Sequence, residues 1–187
     1  MLKVLEEDLY RYEGARYHLL SVKLRYYFFV PGYRYTYFLR KCQGSNQRVQ
    51  KLFWLFRLKI CSYRFSIQIP AQTQIGRGFR IAHWGAIVVN PHVIIGENCT
   101  IAENVLIGNS QGKNSGSPII GNSVNVGANA VIIGGITIGN DVLIAPGAFV
   151  NFDVPDNSIV IGNPGKIIKK ESSPVAKYIV YDVYSFK

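Results

Sequence analysis

Residues 120–150 read IGNSVNVGANAVIIGGITIGNDVLIAPGAFV, with an aliphatic side chain at every sixth place: Ile120, Val126, Ile132, Ile138, Ile144 and Val150. The spacing is already present upstream, at Ile69, Ile75 and Ile81 and, after a slip of two residues, at Val89, Ile95, Ile101 and Ile107. Gly or Ala usually comes next, as at Gly76, Ala102, Gly121 and Gly139. A second small or apolar residue often falls four places on, as at Cys99, Val105, Val124, Ala130 and Val142. A helix repeats near 3.6 residues and tolerates few glycines, so the pattern excludes one. Six residues make one short strand and one turn, and three such units close a triangular coil. The inward aliphatics of successive coils then stack in columns, with strands about 4.8 Å apart. Gly, Asn and Asp supply the turn conformations that other residues resist. Thirteen inward aliphatics, at about 1.5–3 kcal/mol each when buried, suffice to hold such a coil together. The expected fold is all-β, a parallel β-helix of hexapeptide repeats.

A regular prism has no cleft, so chemistry is expected where the repeat fails. It fails twice: in the slip that holds Ala82-His83-Trp84-Gly85-Ala86, and in the loop Ser110–Ser117. Counting three hexads per coil sets the hexad of Ile81 against that of Ile101, which places His83 one coil from Glu103. His18 and His92 carry no comparable signal, since one lies outside the repeat and the other at a regular turn. With so few histidines no metal site is expected.

Outside the repeat the composition changes near Ile67. Residues 1–66 hold thirteen Lys and Arg against four acids, and sixteen of the twenty-four aromatics, whereas the remainder is almost neutral; the whole chain carries a net charge of +10. Apolar spacing at Val4, Leu5, Leu9 and Tyr12, and again from Val49 to Cys61, with a break at Pro31-Gly32, predicts a mostly helical region. Basic residues interleaved with aromatics, as in Arg25-Tyr26-Tyr27-Phe28-Phe29, suit a water–lipid interface and suit nucleic acid as well; a solvated basic face around an aromatic core is the plainer reading. The organisation expected is 1–66 helical, 67–170 coil and 171–187 a tail, in which Tyr178–Tyr181 fits either a terminal strand or a mobile end. The opening MLKVLEEDLY lacks an apolar secretory core, and no run of 18 apolar residues occurs. Cys42, Cys61 and Cys99 are widely spaced, without a CxxC, as in a reducing cytoplasm.

The segment from about 69 to 168 resembles the hexapeptide-repeat acyltransferases, in the branch of the serine acetyltransferases and polysaccharide O-acetyltransferases. The residues that carry the likeness are Ile75-Gly76-Arg77-Gly78-Phe79-Arg80-Ile81-Ala82-His83-Trp84-Gly85-Ala86-Ile87-Val88-Val89, Pro118-Ile119-Ile120-Gly121, Val126-Gly127-Ala128-Asn129-Ala130, and Asp153-Val154-Pro155 with Gly162-Asn163-Pro164-Gly165-Lys166. The resemblance implies a left-handed coil, a homotrimer with sites between subunits, and acetyl-CoA as co-substrate. It makes His83 the general base that takes the acceptor hydroxyl proton, a task suited to an imidazole whose ordinary pKa is about 6.5. It places the pantetheine arm against Ala128 and Pro146, the nucleotide end near Gly162 and Lys166, and the acceptor near Trp84 and Ser117.

The chain departs from the serine acetyltransferase pattern at three places. Gln68 stands where that branch has a carboxylate, Ala82 where it has Asp, and Gly116-Ser117 where it has Arg-His. Groups suited to a zwitterionic amino acid are thus absent together, which favours an uncharged acceptor such as a sugar hydroxyl in a surface-polysaccharide or lipopolysaccharide precursor. Glu103 stands where the branch commonly has Gln, and is the candidate carboxylate for orienting His83; an exposed Glu on a prism face is the alternative. A cytoplasmic enzyme in peripheral contact with the inner membrane face through residues 1–66 is expected, with no nucleic-acid partner. A serine O-acetyltransferase and a non-catalytic hexapeptide scaffold remain the competing readings.

Overall fold

The computed structural model describes residues 2–112 and 114–186. Three parallel sheets form the walls of a left-handed triangular prism. The first stacks β1 (Ile67–Gln68), β4 (Ile87–Val89), β7 (Leu106–Gly108), β10 (Val131–Ile133) and β13 (Phe149–Val150). The second stacks β2 (Gln74–Ile75), β5 (Ile94–Ile95), β8 (Ile119–Ile120) and β11 (Thr137–Ile138). The third stacks β3 (Arg80–Ile81), β6 (Thr100–Ile101), β9 (Asn125–Val126), β12 (Leu143–Ile144) and β14 (Ser158–Ile161), and ends on the antiparallel β15 (Lys166–Lys169). Twelve of the thirteen aliphatics at the six-residue spacing are buried, and Ile75 packs partly exposed against the core. The second-position residues Cys99, Val105, Val124, Ala130 and Val142 are buried as well. Turn residues Asn98, Asn104, Ser123, Asn129, Asp141 and Asn157 take φ of 54–61°, the left-handed conformation that short polar side chains tolerate.

Among the described residues four α-helices precede the coil: α1 (Leu2–Glu13), α2 (Leu20–Phe29), α3 (Pro31–Gln43), which Pro31 starts from its first turn, and α4 (Arg48–Phe65). They close the open end of the prism. The first strand of each sheet would otherwise present unpaired backbone groups, which are costly when buried. Helix side chains answer each wall. The Tyr35 hydroxyl donates to Ile69 O (3.0 Å) and accepts from Ile69 N (2.9 Å). The Tyr12 hydroxyl does the same at Ile81 (2.9 and 3.0 Å). Arg40 donates to Ile75 O (2.7 Å) and Gly76 O (2.6 Å). Arg40 is itself held by the fully buried Asp8 (2.8 Å), which also accepts from Phe79 N (2.8 Å).

The tail is not a strand. After β15 it returns along the corner between the second and third sheets, where Ser173 Oγ donates to Asp141, and Asn98 both donates to Asp182 and accepts from Val183 N. It ends against α1: Tyr181 and Phe186 pack edge-on to Tyr10, and Arg11 donates to Tyr181 O (3.0 Å). All three cysteines are free and buried, and burial pushes the Cys42 thiol up to about 11 and the Cys99 thiol up to about 12.

Candidate active site

The prism has three corners, and among the described residues two of them carry added segments. The tail covers the corner between the second and third sheets. The loop after β7 occupies the corner between the first and second, folded back by a bridge between Ser110 and Gly116 and by Gly135 N donating to Asn114 O (2.9 Å). The remaining corner follows the third sheet. There the register pairs Ile81 with Ile101, Ile101 with Val126, Val126 with Ile144, and Ile144 with Val160. Two residues beyond each of these come His83, Glu103, Ala128, Pro146 and Gly162. Five of the residues singled out in the sequence therefore form one column on successive coils, about 4.8 Å apart. Lys166 joins its far end, since it pairs across the antiparallel turn with Ile161, beside Gly162.

His83 is exposed, and so is Trp84 beside it. The slip is held from both ends: Ala82 N donates to Ile101 O (2.9 Å), and Ala86 N donates to Asn104 Oδ1 (3.2 Å). Between them Gly85 lies so near the next coil that an added Cβ would meet Glu103 Cβ at 3.0 Å. Glu103 is partly buried, and its Oε2 is shielded from solvent without a hydrogen-bond partner. A stranded carboxylate oxygen beside a histidine-bearing loop is an acceptor for an N–H that reaches it. Gly85 and Asn104 were not singled out from the sequence. The signal for Gly85 was its place inside the slip, where only a residue without a side chain lets the loop lie flat on Glu103.

Ser117 lies elsewhere. Its hydroxyl donates to Asn90 Oδ1 (3.2 Å), at the corner of the loop, with the first sheet between it and His83. Within one chain Ser117 and His83 therefore do not share a site. Gln68 is exposed on β1, in register with Val88, and Ala82 is a short side chain in the slip. Among the described residues no group of three His, Cys, Asp or Glu side chains is arranged to hold a metal ion.

Comparison with known proteins places this architecture. Residues 117–151 match the family model "Bacterial transferase hexapeptide (six repeats)". WcaB of Escherichia coli K12, named as a colanic acid biosynthesis acetyltransferase, is 38% identical over 142 residues, covering 74% of this chain and 87% of that protein. The serine acetyltransferase CysE of Neisseria gonorrhoeae superposes with a TM-score of 0.71 at 27% identity, over 95% of this chain and 70% of the other. A serine acetyltransferase of Brucella abortus S19, solved with coenzyme A, superposes with a TM-score of 0.72 at 25% identity, over 92% and 68%. The coil, its helical cap and these likenesses agree: the chain belongs to the hexapeptide-repeat acyltransferases, in the branch of the serine acetyltransferases and polysaccharide O-acetyltransferases, and is an acetyltransferase.

Proposed function

We propose that the chain transfers the acetyl group of acetyl-CoA to a hydroxyl of a sugar in a surface-polysaccharide or lipopolysaccharide precursor, in a homotrimer with its sites between subunits. The observation that carries this reading is the column in which His83 and Glu103 occupy adjoining coils and Ala128, Pro146 and Gly162 continue the same line. An extended thioester laid along that corner has its acetyl end at His83. His83 takes the proton of the acceptor hydroxyl as its oxygen attacks the thioester carbonyl. The tetrahedral adduct collapses, the C–S bond breaks, and the imidazolium returns the proton to the departing thiolate. A backbone N–H stabilises the oxyanion. Glu103 is a positioning residue, whose stranded oxygen accepts the second imidazole N–H and steadies the imidazolium. The separation of Ser117 from His83 supports a composite site, since only a neighbouring subunit can bring the two corners together.

The acceptor reading follows from what the composite site of two subunits lacks at the places where the serine branch carries charged groups. Gln68, Ala82, Gly116 and Ser117 offer neither a carboxylate for an ammonium group nor a cation for a carboxylate, whereas Trp84 presents an exposed ring against which a sugar face can pack. Release of free thiol from acetyl-CoA, measured with serine, nucleotide sugars and lipid-linked sugars, tests the choice. Turnover is expected with a sugar acceptor and not with serine. Rapid turnover of serine overturns the sugar reading, and absence of turnover with every hydroxyl together with absence of coenzyme A binding favours a scaffold. For Glu103, the Glu103→Gln variant is expected to lose about ten-fold or more in turnover. Its KM for acetyl-CoA should stay nearly unchanged, because a positioning residue acts on the imidazole and not on the cofactor. Unchanged turnover contradicts the assignment.

A further inference from the structure

Between residues 14 and 65 the chain has eleven Lys and Arg and no Asp or Glu. Eleven exposed large hydrophobic side chains lie in the same segment. Along α4 the exposed side chains Val49, Leu52, Phe53, Phe56, Ile60 and Tyr63 recur at spacings of three and four, while Leu58 and Cys61 face the core. At about 100° per residue these six fall within one stripe about 100° wide. Arg48 and Lys59 border it on one side and Arg57 and Arg64 on the other. On α2, Leu20, Leu24 and Phe28 form a second exposed stripe at a spacing of four, and Phe29 beyond it is 78% exposed. Two arginines join the stripes. Arg34 donates to Tyr27 O (2.6 Å) and to Phe28 O and lies over the Phe65 ring at 5.4 Å, while Arg57 reaches the Tyr27 hydroxyl at 3.5 Å.

We propose that α2 and α4 form a docking face for an anionic lipid bilayer, and that it presents the His83 corner to a glycan carried on a lipid. The substrate half of this statement rests on the sugar reading above. An apolar stripe bordered on both sides by long cationic side chains matches a head-group layer: the rings and aliphatics enter the acyl boundary, and the Lys and Arg ends reach outward to phosphates. A second copy of the same face fits poorly, because a two-fold contact sets this cation-rich surface against itself. No helix among the described residues is long and apolar enough to cross a membrane, so the face lies on the bilayer. The link to the site is short. The α2–α3 junction rests on β3, where a Cβ on Gly32 would meet Ile81 O at 2.7 Å, and Ile81 precedes His83 by two residues.

The test is co-sedimentation of the full chain with vesicles of phosphatidylcholine alone and of phosphatidylcholine with phosphatidylglycerol in equal amounts, without acetyl-CoA or acceptor. Binding is expected to the anionic vesicles only, and to weaken as salt is raised. The double variants Leu52→Ser with Phe56→Ser, and Arg57→Glu with Lys59→Glu, are each expected to reduce partition by about ten-fold or more, with molecular mass by light scattering and turnover of a water-soluble acceptor unchanged. Absence of partition, equal partition to both vesicle types, or variants that change the assembly instead of the binding each overturn the proposal, the last by showing that a second copy covers the stripe. Vesicle binding with serine as the true acceptor removes the sugar reading alone, and sugar turnover without vesicle binding removes the docking face alone.

Discussion

In the coil a buried aliphatic of an inner turn has an equivalent above and below it, Ile107 between Val89 and Ile132 for instance, whereas the helical cap depends on contacts that occur once. Asp8 has one partner side chain, Arg40; Tyr12 answers one strand and Tyr35 another. A stacked wall spreads a local loss over its neighbours, as expected for a solenoid held by nearest-neighbour terms. A cap that meets three walls through a few single polar contacts does not. The difference shows where each region keeps its specificity: the coil in one irregular corner, the cap in a few polar anchors on the coil edge.

Urea unfolding of matched variants sharpens this comparison. The largest loss is expected in the cap, where Asp8→Ala strands the Arg40 charge in a buried site and costs about 3–5 kcal/mol. The smaller is expected in the coil, where Ile132→Val removes one methylene from a column and costs about 0.5–1.5 kcal/mol. Equal losses, or a larger loss at Ile132, contradict the contrast between unique anchors and a redundant stack.

The coil was legible because its period is local. Each aliphatic from Ile69 to Val150 announces its inward place by its spacing to the next, and the slip at His83 shows as a break in that count. The register of Ile81 with Ile101, and so the nearness of His83 to Glu103, followed from counting alone. The left hand of the coil did not, since a period of six serves either hand. The closure of the prism was not legible either. Arg11 meets Tyr181 across 170 residues and Arg40 meets Gly76 across 36, and neither pairing has a spacing rule that a single sequence displays. The path of the tail depends on those contacts, which is why Tyr178–Tyr181 read as a strand or a mobile end and proved to be a turn beside α1. Gly85 was visible as a glycine, but its reason is the Glu103 side chain one coil away.

The proposed acetyl transfer in one corner column, with His83 at its acetyl end, is tested most directly by steady-state turnover of acetyl-CoA with the sugar acceptor by His83→Ala. Loss of the general base is expected to lower kcat by about 10²–10⁴-fold with KM for acetyl-CoA nearly unchanged and the unfolding midpoint in urea unmoved, since His83 is exposed. Turnover that survives the substitution undiminished contradicts the account.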